Sequence, residues 1–84
     1  MVNICDICGE LRPMERHHLF AGIGRRRKSE LYGAVIHVCH NCHMAIHEQP
    51  KAYEYLKRNA QIVIMTQQGW DTEDFIQEFG KSYI

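Results

Sequence analysis

Cys39-His40-Asn41-Cys42-His43-Met44-Ala45-Ile46-His47 decides how the rest of this chain is read. The two cysteines stand at a spacing that aims both thiols at one point, and a second pair of the same form, Cys5-Asp6-Ile7-Cys8, lies near the start of the sequence. Two such pairs supply the four soft sulfurs of a closed tetrahedral Zn²⁺ site, which holds structure together and leaves no position open for chemistry. Histidines remain over. His43 and His47 sit one helical turn apart on a shared face, and a His17-His18 doublet stands between the cysteine pairs. Imidazoles in this number can hold a second ion with vacant positions, where a substrate can be acted on.

Size agrees with this reading. At 84 residues the chain is expected to be one domain, residues 1–84, close to the length at which an apolar core alone gives marginal stability and a structural metal compensates. The four cysteines would otherwise serve as two disulfides in a secreted protein. No apolar run after Met1 resembles a signal peptide, so a reducing cytoplasmic setting with thiolate and zinc is the expectation. No stretch approaches the roughly 20 apolar residues needed to span a bilayer, and no membrane partner is expected.

Ten basic residues balance ten acidic ones, so affinity for a polyanion must come from a local cluster. One cluster is present, Arg25-Arg26-Arg27-Lys28, a few residues beyond the histidine doublet. Asp71, Glu73, Asp74 and Glu78 make the C-terminal third the acidic end, which points it away from DNA.

The order of elements expected is knuckle, strand, loop, strand, knuckle and three helices. Cys5 to Gly9 makes the first tight turn, with glycine suited to a positive φ. Glu15 to Phe20 reads as a strand that sends His17 and His18 to opposite faces. Ala21 to Gly33 reads as a long loop, and Ala34 to Val38 as the strand that returns to Cys39. A helix over His43 to Gln49 stops near Pro50, where a second helix begins, with Ala52, Leu56, Ala60, Val63 and Ile64 as its buried stripe and Gly69 at its end. Asp71 or Thr72 caps a last helix that turns Phe75, Ile76 and Phe79 inward and stops at Gly80. Tyr53, Tyr55, Trp70, Phe75 and Phe79 fit helix packing better than a platform for stacked bases. Residues 1–49 thus form the metal-bearing unit, and residues 50–84 a helical buttress.

Across residues 5 to 47 the order Cys-x-x-Cys, His-His, long loop, Cys-x-x-Cys-His-x-x-x-His resembles the HNH endonucleases. The doublet followed by His43-x-x-x-His47 is similar to the nuclease domains of DNase colicins, and the cysteine pairs are similar to those of zinc-bearing HNH proteins of phages and homing elements. Phe75 to Tyr83 also resembles the tail of small phage-type members. The resemblance implies a small α+β fold, a zinc-stapled, treble-clef-like ββα-metal unit followed by two C-terminal helices. It implies that His17, His43 and His47 bind one catalytic divalent ion (Zn²⁺, Ni²⁺, Mn²⁺, Co²⁺ or Mg²⁺), that His18 is the general base, and that Cys5, Cys8, Cys39 and Cys42 hold structural Zn²⁺. Double-stranded DNA is the implied substrate, cut by a one-metal mechanism, with no organic cofactor. Between the two catalytic strands of such a fold, Arg25, Arg26, Arg27 and Lys28 are placed to contact phosphates without reading sequence. Ser29 and Glu30 are read as anchoring the loop between those strands or capping a turn, with no catalytic role.

The chain departs from the family at its middle asparagine, where Ala34 stands. His37 either assists the site or caps its strand, and His40 reads as solvated. A second function class therefore stays open, a non-catalytic zinc-stabilised module that binds nucleic acid or protein. Four intact histidines favour the enzyme, since a binding relic has little reason to keep His18. A thiol-disulfide oxidoreductase lacks the βαβ context its motif needs and leaves one cysteine pair unexplained.

Overall fold

The computed structural model describes residues 2–22 and 24–84. β1 (Val2–Ile4) and β2 (Leu11–Pro13) form an antiparallel hairpin with Ile4 opposite Leu11. The turn between them is the expected first knuckle: the Cys5 amide donates to the Glu10 carbonyl at 2.9 Å and the Gly9 amide to the Cys5 carbonyl at 3.0 Å. Gly9 takes a φ of 73°, which its missing Cβ permits.

β3 (Glu15–His18) leads to α1 (Arg25–Leu31), which leads to β4 (Val35–Val38) and α2 (His40–Glu48). β3 and β4 pair antiparallel, Glu15 opposite Val38 and His18 opposite Val35, so Cys39 emerges beside the start of β3. The knuckle docks onto this sheet through two bonds. The Asp6 amide donates to the His37 carbonyl at 2.9 Å, and the His37 amide donates to Asp6 Oδ2 at 2.7 Å.

α3 (Glu54–Gln68) and α4 (Thr72–Phe79) complete the chain, giving a small α+β protein with four helices and two two-stranded sheets among the described residues. Leu19, Phe20 and Ala34 from the β3–β4 region pack on Ile64, Phe75 and Phe79 from the last two helices. Phe20 sits 4.7 Å from Phe79 and 5.7 Å from Phe75 by ring centroids. A smaller apolar cluster of Cys5, Val38 and Cys39, bordered by Ile7, Met14, Ile36 and Ile46, wraps the cysteines. No described helix is long and apolar enough to cross a membrane.

The C-terminal helices match the expected order with local differences. Gly69 ends α3 in the left-handed conformation, and Asp71 caps α4 in a reciprocal box with Asp74. α3 starts one turn later than Pro50, after a non-helical turn over residues 50–53. Its buried face is also rotated from the expected stripe. Val63 is 52% exposed and Ala52 is exposed, whereas Gln61 is fully buried. Gln61 fits there because its amide is satisfied: it donates to Ser82 Oγ at 2.9 Å and accepts from the Tyr83 amide at 2.6 Å, tying down the C-terminal segment. In α4, Phe75 and Phe79 are buried as expected, but Ile76 is 39% exposed because i and i+4 define the inward face.

α1 is the main departure, because the whole stretch from Ala21 to Gly33 was expected to be a loop. Arg, Lys, Glu and Leu are good helix formers, but this helix buries only Ser29 and leaves Leu31 72% exposed, so no apolar period advertises it. Its anchors are polar. Ser29 Oγ donates to the Phe20 carbonyl at 2.8 Å and accepts from the Phe20 amide at 3.1 Å, joining α1 to the end of β3. Lys28 Nζ donates to the Glu78 carbonyl at 2.5 Å, and the Arg25 guanidinium lies against Gly80, the residue that ends α4. Two cations on the carbonyl end of α4 complement its dipole and relieve repulsion within the basic run.

Candidate metal centres and the histidine cleft

Cys5 and Cys8 come from the first knuckle, and Cys39 and Cys42 from the start of α2. One Sγ from each lies within 4.8 Å of every other. Cys8 and Cys39 approach to 3.9 Å, far from a covalent disulfide and close to the edge of about 3.8 Å that Zn–S bonds of about 2.3 Å give in a regular tetrahedron. All four cysteines are free thiols, so the disulfide alternative is not the arrangement adopted.

The thiols are electrostatically unequal. Burial opposes ionisation of Cys5, yet backbone amides, including those of Ile7 and Cys39 at 3.4 Å, bring its pKa down to about 6. Burial together with the neighbouring sulfurs pushes Cys42 up to about 12. The Cys5 thiolate is prepared by the backbone, whereas ionisation of Cys42 is opposed by burial and by the sulfurs around it. A divalent cation at the centre reverses that opposition, so the donor set fits a structural metal such as zinc.

The second cluster draws His17 from β3 and His43 and His47 from successive turns of α2. One nitrogen from each lies within 4.8 Å of the others. Ring centroids are 5.1 Å apart for His17 and His43, 5.6 Å for His17 and His47, and 4.9 Å for His43 and His47. Burial, then the adjoining imidazoles, lower the His17 pKa to about 4. It is therefore a neutral ligand-competent ring at neutral pH.

These rings and His18 line a cleft of about 390 Å³ together with Arg16, Ala21 and Arg26. A neighbouring hollow shares His17, His18, Ala21 and His47 with this cleft and is also lined by Lys57. His17 and His18 were expected on opposite faces, but both reach this cleft, because β3 ends at His18 rather than Phe20 and the cleft opens at that end. The strand stops there since Leu19 and Phe20 are both buried in the main core, which breaks alternation.

Carboxylates hold two of the rings from behind. His43 Nδ1 donates to Glu15 Oε1 at 2.7 Å, which leaves its Nε2 free for an ion, and His40 Nδ1 donates to Glu15 Oε2 at 3.0 Å. His18 Nε2 donates to Glu30 Oε1 at 2.8 Å, and Arg16 donates to the other oxygen at 2.5 Å. The bonds from His43 and then His40 hold Glu15 below the usual carboxylate range, and those from His18 and then Arg16 do the same for Glu30.

The basic run divides. Arg26 lines the histidine cleft and Arg27 is exposed, whereas Arg25 and Lys28 are engaged with α4. Glu78, part of the acidic C-terminal third, meets the basic run, at 3.6 Å from Lys28 Nζ. His37 is exposed and outside the cleft, and its backbone bonds to Asp6. His40 is exposed as expected, though bonded to Glu15.

Glu15 and Arg16 were not singled out from sequence, and Glu30 was given no part in the site. Glu15 had a usable signal, because i and i+2 in a strand share a face and His17 is two residues on. Glu30 had none, since α1 alone brings it to His18. Set against known protein families, curated proteins and solved structures, the chain matches none.

Proposed function

We propose that this protein is a metal-dependent DNA endonuclease of HNH type, which hydrolyses phosphodiester bonds in double-stranded DNA to leave a 5′ phosphate and a 3′ hydroxyl. The observation that carries the proposal is the convergence of His17, His43 and His47 nitrogens within 4.8 Å in the cleft that also holds His18. Three imidazoles fit a single divalent ion with open positions, and Zn²⁺, Ni²⁺, Co²⁺ and Mn²⁺ suit them better than Mg²⁺. When bound, that ion supplies Lewis acidity toward a phosphoryl oxygen and the leaving 3′ oxygen.

The chain's own residues do the rest. His18 takes the proton of the attacking water on a ring nitrogen, the work of an imidazole general base. Arg26, with Lys57 lining the neighbouring hollow, offers positive charge to the DNA backbone. Structural Zn²⁺ in the four-cysteine site fixes the end of β4 and the start of α2, and with them two of the three histidines. Reduced thiols in that role go with an intracellular setting.

One observation favours the competing class, a non-catalytic zinc-stabilised module. Ala34 occupies the place of the family's middle asparagine and is only 3% exposed, packed in the main core, so it offers no polar group to the cleft. A supercoiled-plasmid nicking assay with Mn²⁺ or Ni²⁺, against EDTA and a His18→Ala variant, tests the choice. Metal-dependent nicking lost in the variant supports the enzyme; no nicking with any of these ions, with DNA still bound, supports the module.

A further inference from the structure

We infer that Glu30 is the positioning residue for His18, a role that rests on the nuclease reading of the same cleft. Its carboxylate accepts the His18 Nε2 proton at 2.8 Å, and this bond selects one tautomer. With the proton fixed on Nε2, the lone pair of Nδ1 is the one left to accept a proton, and the ring is prevented from turning about χ2. The carboxylate also faces the positive charge that the ring acquires on accepting a proton. The proton passes from water to Nδ1, Nε2–H stays with the ring, and Glu30 remains ionised throughout.

The surroundings of Glu30 fit this role. Its second oxygen accepts from Arg16 at 2.5 Å, which restrains the carboxylate plane and offsets its charge in a cleft meant for phosphate. Glu30 adjoins Ser29, whose two bonds to the Phe20 backbone are buried, and α1 is held at Lys28 by the Glu78 carbonyl. An exposed side chain is thus carried on a fixed backbone, which is what a positioning group requires. Ala34 lends His18 no polar partner, so Glu30 supplies the orientation alone among the side chains bonded to that ring.

The test compares wild-type protein with Glu30→Gln, Glu30→Ala, His18→Ala and the His18→Ala/Glu30→Ala double variant, using Mn²⁺ and supercoiled plasmid. Expected is a fall in kcat on the order of 10- to 100-fold for either Glu30 variant, with KM for DNA and metal content unchanged. In the His18→Ala background the Glu30 change should cost nothing further, which a merely structural carboxylate would not produce. Ring ¹⁵N shifts of His18 should report a single Nε2–H tautomer in the wild type and a mixture in Glu30→Ala. Unchanged kcat and unchanged tautomer in Glu30→Ala while the wild type nicks, or equal losses in both backgrounds, overturns this inference alone. A wild type that never nicks overturns the nuclease reading and this inference with it.

Discussion

The imidazoles of His17 and His43 meet edge to face with centroids 5.1 Å apart, one from β3 and the other from the first turns of α2. The antiparallel register that sets Glu15 opposite Val38 brings the start of α2 next to β3, and Cys39 and Cys42 lie at that same corner. Removing the sulfur-bound ion should therefore have consequences beyond its own ligands. Cys39→Ser should leave the chain unfolded by circular dichroism even with excess Zn²⁺, because structural zinc contributes about 10–16 kcal/mol, comparable to the whole stability of a small domain.

The two proposed ions should be separable in the other direction. His43→Ala or His47→Ala should lower the bound metal by one ion per chain, weaken titration of Mn²⁺ or Ni²⁺, and leave the four-cysteine zinc and the fold intact. Elemental analysis with circular dichroism checks this, and joint loss of both ions would mean the sites are not independent.

His18→Gln keeps a polar side chain of similar reach but removes the proton-accepting ring. Nicking should fall on the order of 10²- to 10⁴-fold, with both metals and the melting temperature unchanged. Retained cleavage would remove His18 from the mechanism.

The divided basic run makes opposite predictions for neighbouring residues. Arg26→Ala should weaken binding to duplex DNA and reduce the slope of log affinity against log salt by about 1. Lys28→Ala should leave that slope unchanged and instead destabilise the fold by about 1 kcal/mol through its lost bond to the end of α4. Equal salt slopes in the two variants would place neither residue at the DNA.

Acid sensitivity follows from His17. Its folded pKa of about 4 lies below the value of about 6.5 expected for an unfolded chain, so protons bind the unfolded state preferentially between them. Stability from this group is complete above about pH 6.5 and is lost as pH falls toward 4. With zinc in the sulfur site and no second ion, melting temperature should fall from pH 7 to pH 5 less steeply in His17→Gln than in the wild type.

Much of this architecture was legible from local chemistry. Cysteine spacing, the i,i+4 histidines, the glycine after α3 and the aspartate before α4 each act over a few residues, and each stands where its local rule puts it. What escaped was carried by contacts between distant polar groups. α1 holds its place through Ser29 and Lys28 rather than an apolar stripe, and Glu30 reaches His18 only because of that placement. Gln61 escaped for the same reason, since its partners Ser82 and Tyr83 come from the chain's far end. Periodicity finds faces that avoid water, and it is silent about polar groups buried by pairing.

Cys42 and His43 are adjacent in α2, so a single helical turn presents side chains to both candidate metal clusters. On the proposed reading, maturation would be ordered: a metal captured by sulfur would fix the turn that presents His43, and the imidazole pocket would form after it. Under the proposed two-metal reading, zinc starvation would silence the protein ahead of any shortage of a second ion.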